Sequence, residues 1–183
     1  MCAQKGEAMS NLDVRTLLLV DDEEMMLEIL KEILEPLGIR VVQALNPAEA
    51  FKVLAETKVT AIISDIRMPG ASGLDFLEKL RGMGSTVPLV FLTASQEKAK
   101  IHRALQLGAV DFLEKPFEPE HLQDVVFKLL EIGVRQQEIE RIQVQNLTLL
   151  QKPEEVRKNN EDAAKKGKLI QLLRIKLPWQ KAK

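Results

Sequence analysis

Five short apolar runs recur at near-regular intervals along the first two thirds of the chain, at residues 16–20, 39–44, 59–64, 88–93 and 109–114. The first, third and fourth are almost continuously apolar, as strands buried on both faces should be. Between the runs, apolar positions fall three and four residues apart. Met26, Leu27, Leu30, Ile33, Leu34 and Leu37 mark one helix after Asp21 and Asp22, and Gly38 sits where a C-terminal cap belongs. Asn46 and Pro47 open a second helix as cap and first-turn residue, with Ala50, Phe51 and Leu54 on its inner stripe. Residues 72–83 carry Leu74, Leu77 and Leu80, and residues 96–107 carry Ile101, Ala104, Leu105 and Leu107 before Gly108. A fifth helix starts near Glu118, with Pro119 in its first turn. Gly70 and Gly73 read as a turn and a helix start.

Strand and helix alternating five times predict an α/β fold: a parallel sheet with helices on both faces. Sites in such sheets lie at the carboxyl ends of the strands, where the order of strands reverses. Asp21, Asp22, Asp65, Thr93 and Lys115 all end or follow predicted strands. Three close carboxylates repel one another unless a cation joins them. A cluster of oxygen donors without His or Cys suits Mg²⁺, which takes one or two carboxylates and keeps several waters. A carboxylate is also a nucleophile toward phosphorus, giving an acyl phosphate. Lys115 offers a point charge and Thr93 a hydroxyl for the phosphoryl oxygens. Together they suit phosphoryl transfer onto an aspartate.

These residues stand in segments that resemble the response-regulator receiver domain of bacterial two-component signalling, from about Arg15 to Ile132. Residues 18–23 (LLVDDE) resemble its acidic first loop and residues 65–73 (DIRMPGASG) its phosphoacceptor segment. Residues 91–94 (FLTA) resemble its switch-threonine strand end, and residues 108–117 (GAVDFLEKPF) its lysine-proline segment. The resemblance implies a doubly wound, flavodoxin-like sheet of five parallel strands in the order 2-1-3-4-5. It implies that Asp65 is phosphorylated by a sensor histidine kinase or phosphotransfer protein. It implies Mg²⁺ on Asp22, Asp65 and the backbone carbonyl of Arg67, with Asp21 acting mainly through water. Thr93 and Phe112 become the coupled switch pair, Lys115 pairs with the phosphoryl group, and the Lys115–Pro116 peptide is cis. The output surface is the fourth helix, fifth strand and fifth helix, roughly residues 96–130. Apart from its own phosphorylation and slow dephosphorylation, no enzyme activity is expected. The Arg67 side chain has two readings: it shields the acyl phosphate or pairs with Glu23 or Glu24, or it is a solvated surface residue.

Composition adds limits. The 183 residues hold 26 basic and 27 acidic side chains, a net charge of -1, which argues against a chain that coats nucleic acid with its whole surface. Cys2 alone makes no intrachain disulfide, and His102 and His121 make no His-rich metal site. No apolar run approaches the ~20 residues of a membrane span. The polar first ten residues lack the core of a secretory signal, so the cytoplasm is the expected compartment and a membrane is not an expected partner. Either Met1 or Met9 serves as the start.

Charge is unevenly shared: residues 14–133 carry a net -6 and residues 134–183 a net +6. The chain divides into a lead-in (1–13), a receiver (14–133), a helical extension (134–151) and a basic linker with a short amphipathic tail (152–183). Val125, Leu129, Ile132, Ile139 and Leu150 fall on a 3-4 seam that also holds Gln136, Gln143 and Asn146, with Gly133 inside it. This is a weak coiled coil that could pair two chains. A homodimer through that helix, or through the fourth helix, fifth strand and fifth helix, is one expected partner, and a downstream effector protein is the other. The tail could dock in a partner groove, lie on an anionic membrane, hug the receiver or stay disordered. It is too short for a helix-turn-helix, so nucleic acid is not an expected partner. The alternative function is a transcription or RNA regulator acting through that basic tail. A phosphatase with an aspartate nucleophile would need a second Asp where Arg67 stands.

Overall fold

The computed structural model describes residues 15–94 and 98–151. The chain divides into two units, Met1–Gln137 and Glu138–Lys183. The first contains β1 (Thr16–Val20), α1 (Glu24–Leu34), β2 (Arg40–Ala44), α2 (Pro47–Glu56), β3 (Ala61–Asp65), α3 (Gly73–Gly82), β4 (Leu89–Ala94), α4 (Lys98–Gln106), β5 (Asp111–Lys115) and the start of α5 (Pro119–Gln151). The five strands are parallel and ordered β2-β1-β3-β4-β5, the flavodoxin-like order.

Alternation along the strands sorts the core into two layers. Leu18, Val20, Ile62, Leu89 and Phe91 point to one face, where they meet Ala50 of α2, Phe76, Leu77 and Leu80 of α3, and Ala104 of α4. Leu17, Leu19, Ile63, Val90 and Leu92 point to the other, against Leu27, Leu30 and Leu34 of α1 and Leu122, Val126, Leu129 and Leu130 of α5. All five residues of β1 are buried, as the continuous apolar run predicts. β5 is an edge strand, opposite β2, and its Asp111, Phe112 and Glu114 are exposed.

Local signals fix the helix ends. Asn46 Oδ1 accepts the Glu49 N–H at 2.9 Å, with Pro47 in the first turn. Ser72 and Asp75 form a reciprocal capping box at α3. α1 ends at Leu34 and tightens into a 3-10 turn, Glu35–Leu37, where Pro36 lacks an N–H for the α pattern. Gly38 follows at φ 63, the left-handed conformation that glycine adopts cheaply. α3 runs Gly73–Gly82, because Ser72 stands outside as its cap. β5 starts two residues later than the apolar run, at Asp111, after the Ala109 N–H has bonded back to the Ala104 carbonyl of the preceding helix. Arg81 ties two loops together. Its Nη1 donates to the Ser85 and Val87 carbonyls and its Nη2 to Gly108, at 2.9–3.0 Å.

α5 is longer than the sheet needs. It runs through Gly133, the glycine inside the expected seam, which packs against the chain before β3 too closely for a side chain. A Cβ on Gly133 would collide with the Thr60 carbonyl oxygen just before β3. One turn on, Gln137 Nε2 donates to the Val59 carbonyl at 3.1 Å. Leu129, expected in the seam, is 1% exposed and belongs to the receiver core.

Candidate functional site at the carboxyl edge of the sheet

Parallel strands in close register end at one edge. Val20 pairs with Ser64, so the next residues, Asp21 and Asp65, come side by side. Asp65 pairs with Leu92 of β4, and Thr93 and Ala94 pair with Glu114 and Lys115 of β5. The fold thus gathers Asp21, Asp22, Asp65, Thr93 and Lys115 from four strands, where the sequence placed them.

Lys115 is the hub. Its Nζ donates to Asp65 Oδ1 at 2.8 Å and to Asp21 Oδ2 at 3.2 Å. Asp21 is buried, and its Oδ1 accepts the Glu23 N–H at 2.9 Å. Burial pushes the Asp21 carboxyl above its ordinary value, more strongly than the Glu23 N–H and Lys115 lower it. On Lys115, burial pulls the ammonium down, but the hydrogen bond and charge of Asp65, with those of Asp21, outweigh it and raise the pKa overall. Lys115 therefore stays charged at neutral pH and holds both carboxylates. Asp65 Oδ2 accepts the Arg67 N–H at 2.6 Å, which fixes the carboxylate plane.

Asp22, Asp65, Arg67 and Lys115 line an open cleft of about 500 Å³, with Met26 and Pro69 among its apolar walls. Asp22 and Arg67 are exposed. The three aspartates do not close into one cluster. Among the described residues, no group of three His, Cys, Asp or Glu stands ready to hold a metal alone. Lys115 Nζ stands between Asp21 and Asp65 and bonds both. The donors nevertheless fit Mg²⁺, which asks for only one or two carboxylates and completes its octahedron with water. Asp22 and Asp65 meet that requirement in one open cleft, which the buried Asp21 does not line.

Thr93 is 1% exposed near the end of β4, and Phe112 is 37% exposed on β5. The Lys115–Pro116 peptide is cis, as the resemblance implies. Gly73 carries more than a helix start. A Cβ there would strike the Asp65 carbonyl oxygen and stand 2.8 Å from Phe91 Cε1. α3 therefore begins directly against the backbone that presents Asp65, and the Gly73 N–H donates to the Ile66 carbonyl at 3.0 Å. Sequence alone marks that glycine but not the close approach behind it.

The doubly wound sheet thus brings an aspartate, a lysine and a buried threonine together at its carboxyl edge. Residues 17–127 match the response regulator receiver domain family, and the chain belongs to it. It is 31% identical over 136 residues to the Response regulator protein TmoT of Ectopseudomonas mendocina, covering 74% of this chain and 61% of that protein. It is 33% identical over 120 residues to the Transcriptional regulatory protein FixJ of Bradyrhizobium diazoefficiens, covering 65% and 56%. The crystal structure of chemotaxis protein CheY4 from Vibrio cholerae is 27% identical, with a TM-score of 0.60, covering 63% of this chain and 98% of that one. The chain spans about half the length of the curated relatives it matches. Transcriptional regulators stand among those relatives by name, so the expectation that nucleic acid is no partner finds no support in them. Among the described residues, no helix is long and apolar enough to cross a membrane.

Proposed function

We propose that this receiver domain is switched by phosphorylation of Asp65. The observation that carries the reading is the pairing of Lys115 Nζ with Asp65 Oδ1 at 2.8 Å beside an open cleft. That ammonium is placed to follow the charge as it grows on the phosphoryl oxygens. The donor is a phosphohistidine on a sensor kinase or phosphotransfer protein. An Asp65 oxygen forms the new P–O bond, the P–N bond breaks, and the departing imidazole keeps the electron pair and takes a proton. Asp22, Asp65 and the Arg67 carbonyl are the donors for Mg²⁺, which when bound neutralises charge on the transferring group.

The product carries roughly -1.5 to -2 charges beside Lys115 and Thr93. Thr93 offers its hydroxyl, and Phe112, half-exposed on the edge strand, has room to change its packing as Thr93 moves. The consequence is a changed α4–β5–α5 face and a protein contact as output, made with an effector or a second copy. The chain performs no chemistry on an outside metabolite. A second reading, regulation of transcription, is favoured by the named relatives, and in it the same switch governs a nucleic-acid contact of the longer protein or of the basic 152–183 segment, which lies outside the described residues. Incubation with a small phosphodonor is expected to add one phosphoryl group to the intact mass only with Mg²⁺. No gain under conditions that label another receiver would leave the domain a scaffold.

A further inference from the structure

The first turns of α5 are spent on the receiver core, and its later turns bury nothing in the described chain. Leu122, Val126, Leu129, Leu130 and Gly133 are buried. From 138 to 148 every residue is exposed, yet Ile139 and Ile142 stand there with Val144 and Leu147. A helical segment of that length is marginal in water unless its apolar side is covered.

The pattern on α5 says what covers it. Ile132, Ile139 and Asn146 stand seven apart, and Arg135 and Ile142 follow the first two by three. With 132, 139 and 146 at heptad position a, and 135 and 142 at d, Glu131 and Glu138 fall at g, and Gln136 and Gln143 at e. In a parallel pair each g faces an e of the other helix, so a Glu carboxylate meets a Gln amide that can donate to it. In an antiparallel pair g faces g, and a pair centred on Glu138 sets that carboxylate against its own copy. The parallel orientation therefore sets neither Glu131 nor Glu138 against a like charge. Asn146 at a is the polar residue that holds two strands in register at some cost in stability. Arg135 at d lies four residues after Glu131, so its stem can cover the seam while its head reaches that carboxylate, and Glu138 is held by Arg141 of its own helix at 3.0 Å.

We propose that two copies of this chain pair through α5 as a parallel coiled coil, with Ile139 and Ile142 at its centre and Asn146 facing its equivalent across the two-fold axis. This register replaces the seam through Val125 and Leu129, because Leu129 is used by its own core. The pattern covers about three heptads, the lower limit for a coiled coil, so the dimer is weak and concentration-dependent. The proposal does not rest on the phosphorylation of Asp65.

Sedimentation equilibrium of the full chain tests it. The wild type is expected to pass from monomer to dimer as concentration rises. Ile139→Asp, at a position 49% exposed, is expected to weaken the dimer at least about a hundredfold while the fold stays intact by circular dichroism. Asn146→Val is expected to tighten it. Asn146→Cys in a Cys2→Ser background is expected to cross-link on oxidation. A chain that is monomeric at every concentration, or a dimer indifferent to Ile139→Asp, would overturn the proposal. So would absence of the cross-link in a confirmed dimer, which would contradict the parallel orientation.

Discussion

Asp21 shows what it costs to bury a carboxylate at the end of a strand. Asp21 is almost fully enclosed, and its folded pKa lies above the ordinary 3.8, with burial as the largest cause. The folded chain then binds more protons than the unfolded one across that interval, so stability falls as pH rises through it. Asp21→Asn removes this loss while keeping an oxygen for the Glu23 N–H. Its melting temperature is expected to exceed that of the wild type by a few degrees at pH 7 and to lose that advantage at pH 3. Thermal unfolding at the two pH values checks this, and a lower melting temperature at pH 7 would mean that the Lys115 pair outweighs the burial. Asp21, Asp65, Thr93 and Lys115 were legible in the sequence because parallel strands deliver their last residues to one edge. The sharing of Lys115 between Asp21 and Asp65 was not legible, since it depends on where a long flexible side chain comes to rest.

At the level of elements, three glycines separate what local rules reach from what they miss. Gly82 closes α3 with open space at its Cβ, whereas Gly73 and Gly133 lie against the Asp65 and Thr60 carbonyls. Helix propensity alone favours alanine over glycine by up to about 1 kcal/mol. Gly82→Ala is therefore expected to stabilise the receiver by a few tenths to about 1 kcal/mol. Gly133→Ala gains the same propensity but must push α5 off the residues before β3, a strain of about 1–3 kcal/mol, so it is expected to destabilise. Urea unfolding of the pair measures both signs, and stabilisation by Gly133→Ala would show that α5 does not press on Thr60. Sequence periodicity placed all five strands and five helices, because burial on two faces writes itself into spacing. It misassigned Leu129, because α5 carries two apolar stripes and spacing does not say which one faces the sheet. It could not explain Gly133, whose reason is a carbonyl far away in sequence.

For the whole molecule, both core layers lie within the first unit among the described residues, where the last buried residue of α5 precedes Gln137. A chain ending at Gln137 is expected to melt as cooperatively as the full chain and to accept phosphate at the same rate, but to stay monomeric. Calorimetry and sedimentation read the two expectations separately, and loss of cooperative melting would show that the receiver needs the extension. The acidic receiver and the basic 152–183 segment were legible as parts of different charge, but what the segment does was not, because composition names no partner. Asp65 is the group we propose to take the phosphoryl group. The most direct test is reduction of the phosphodonor-treated protein with borohydride, which converts an aspartyl phosphate to homoserine, followed by peptide mass mapping. The converted residue is expected at position 65 alone, and only after treatment with Mg²⁺ present. Conversion elsewhere, or none in a protein that has gained a phosphoryl group, would contradict it.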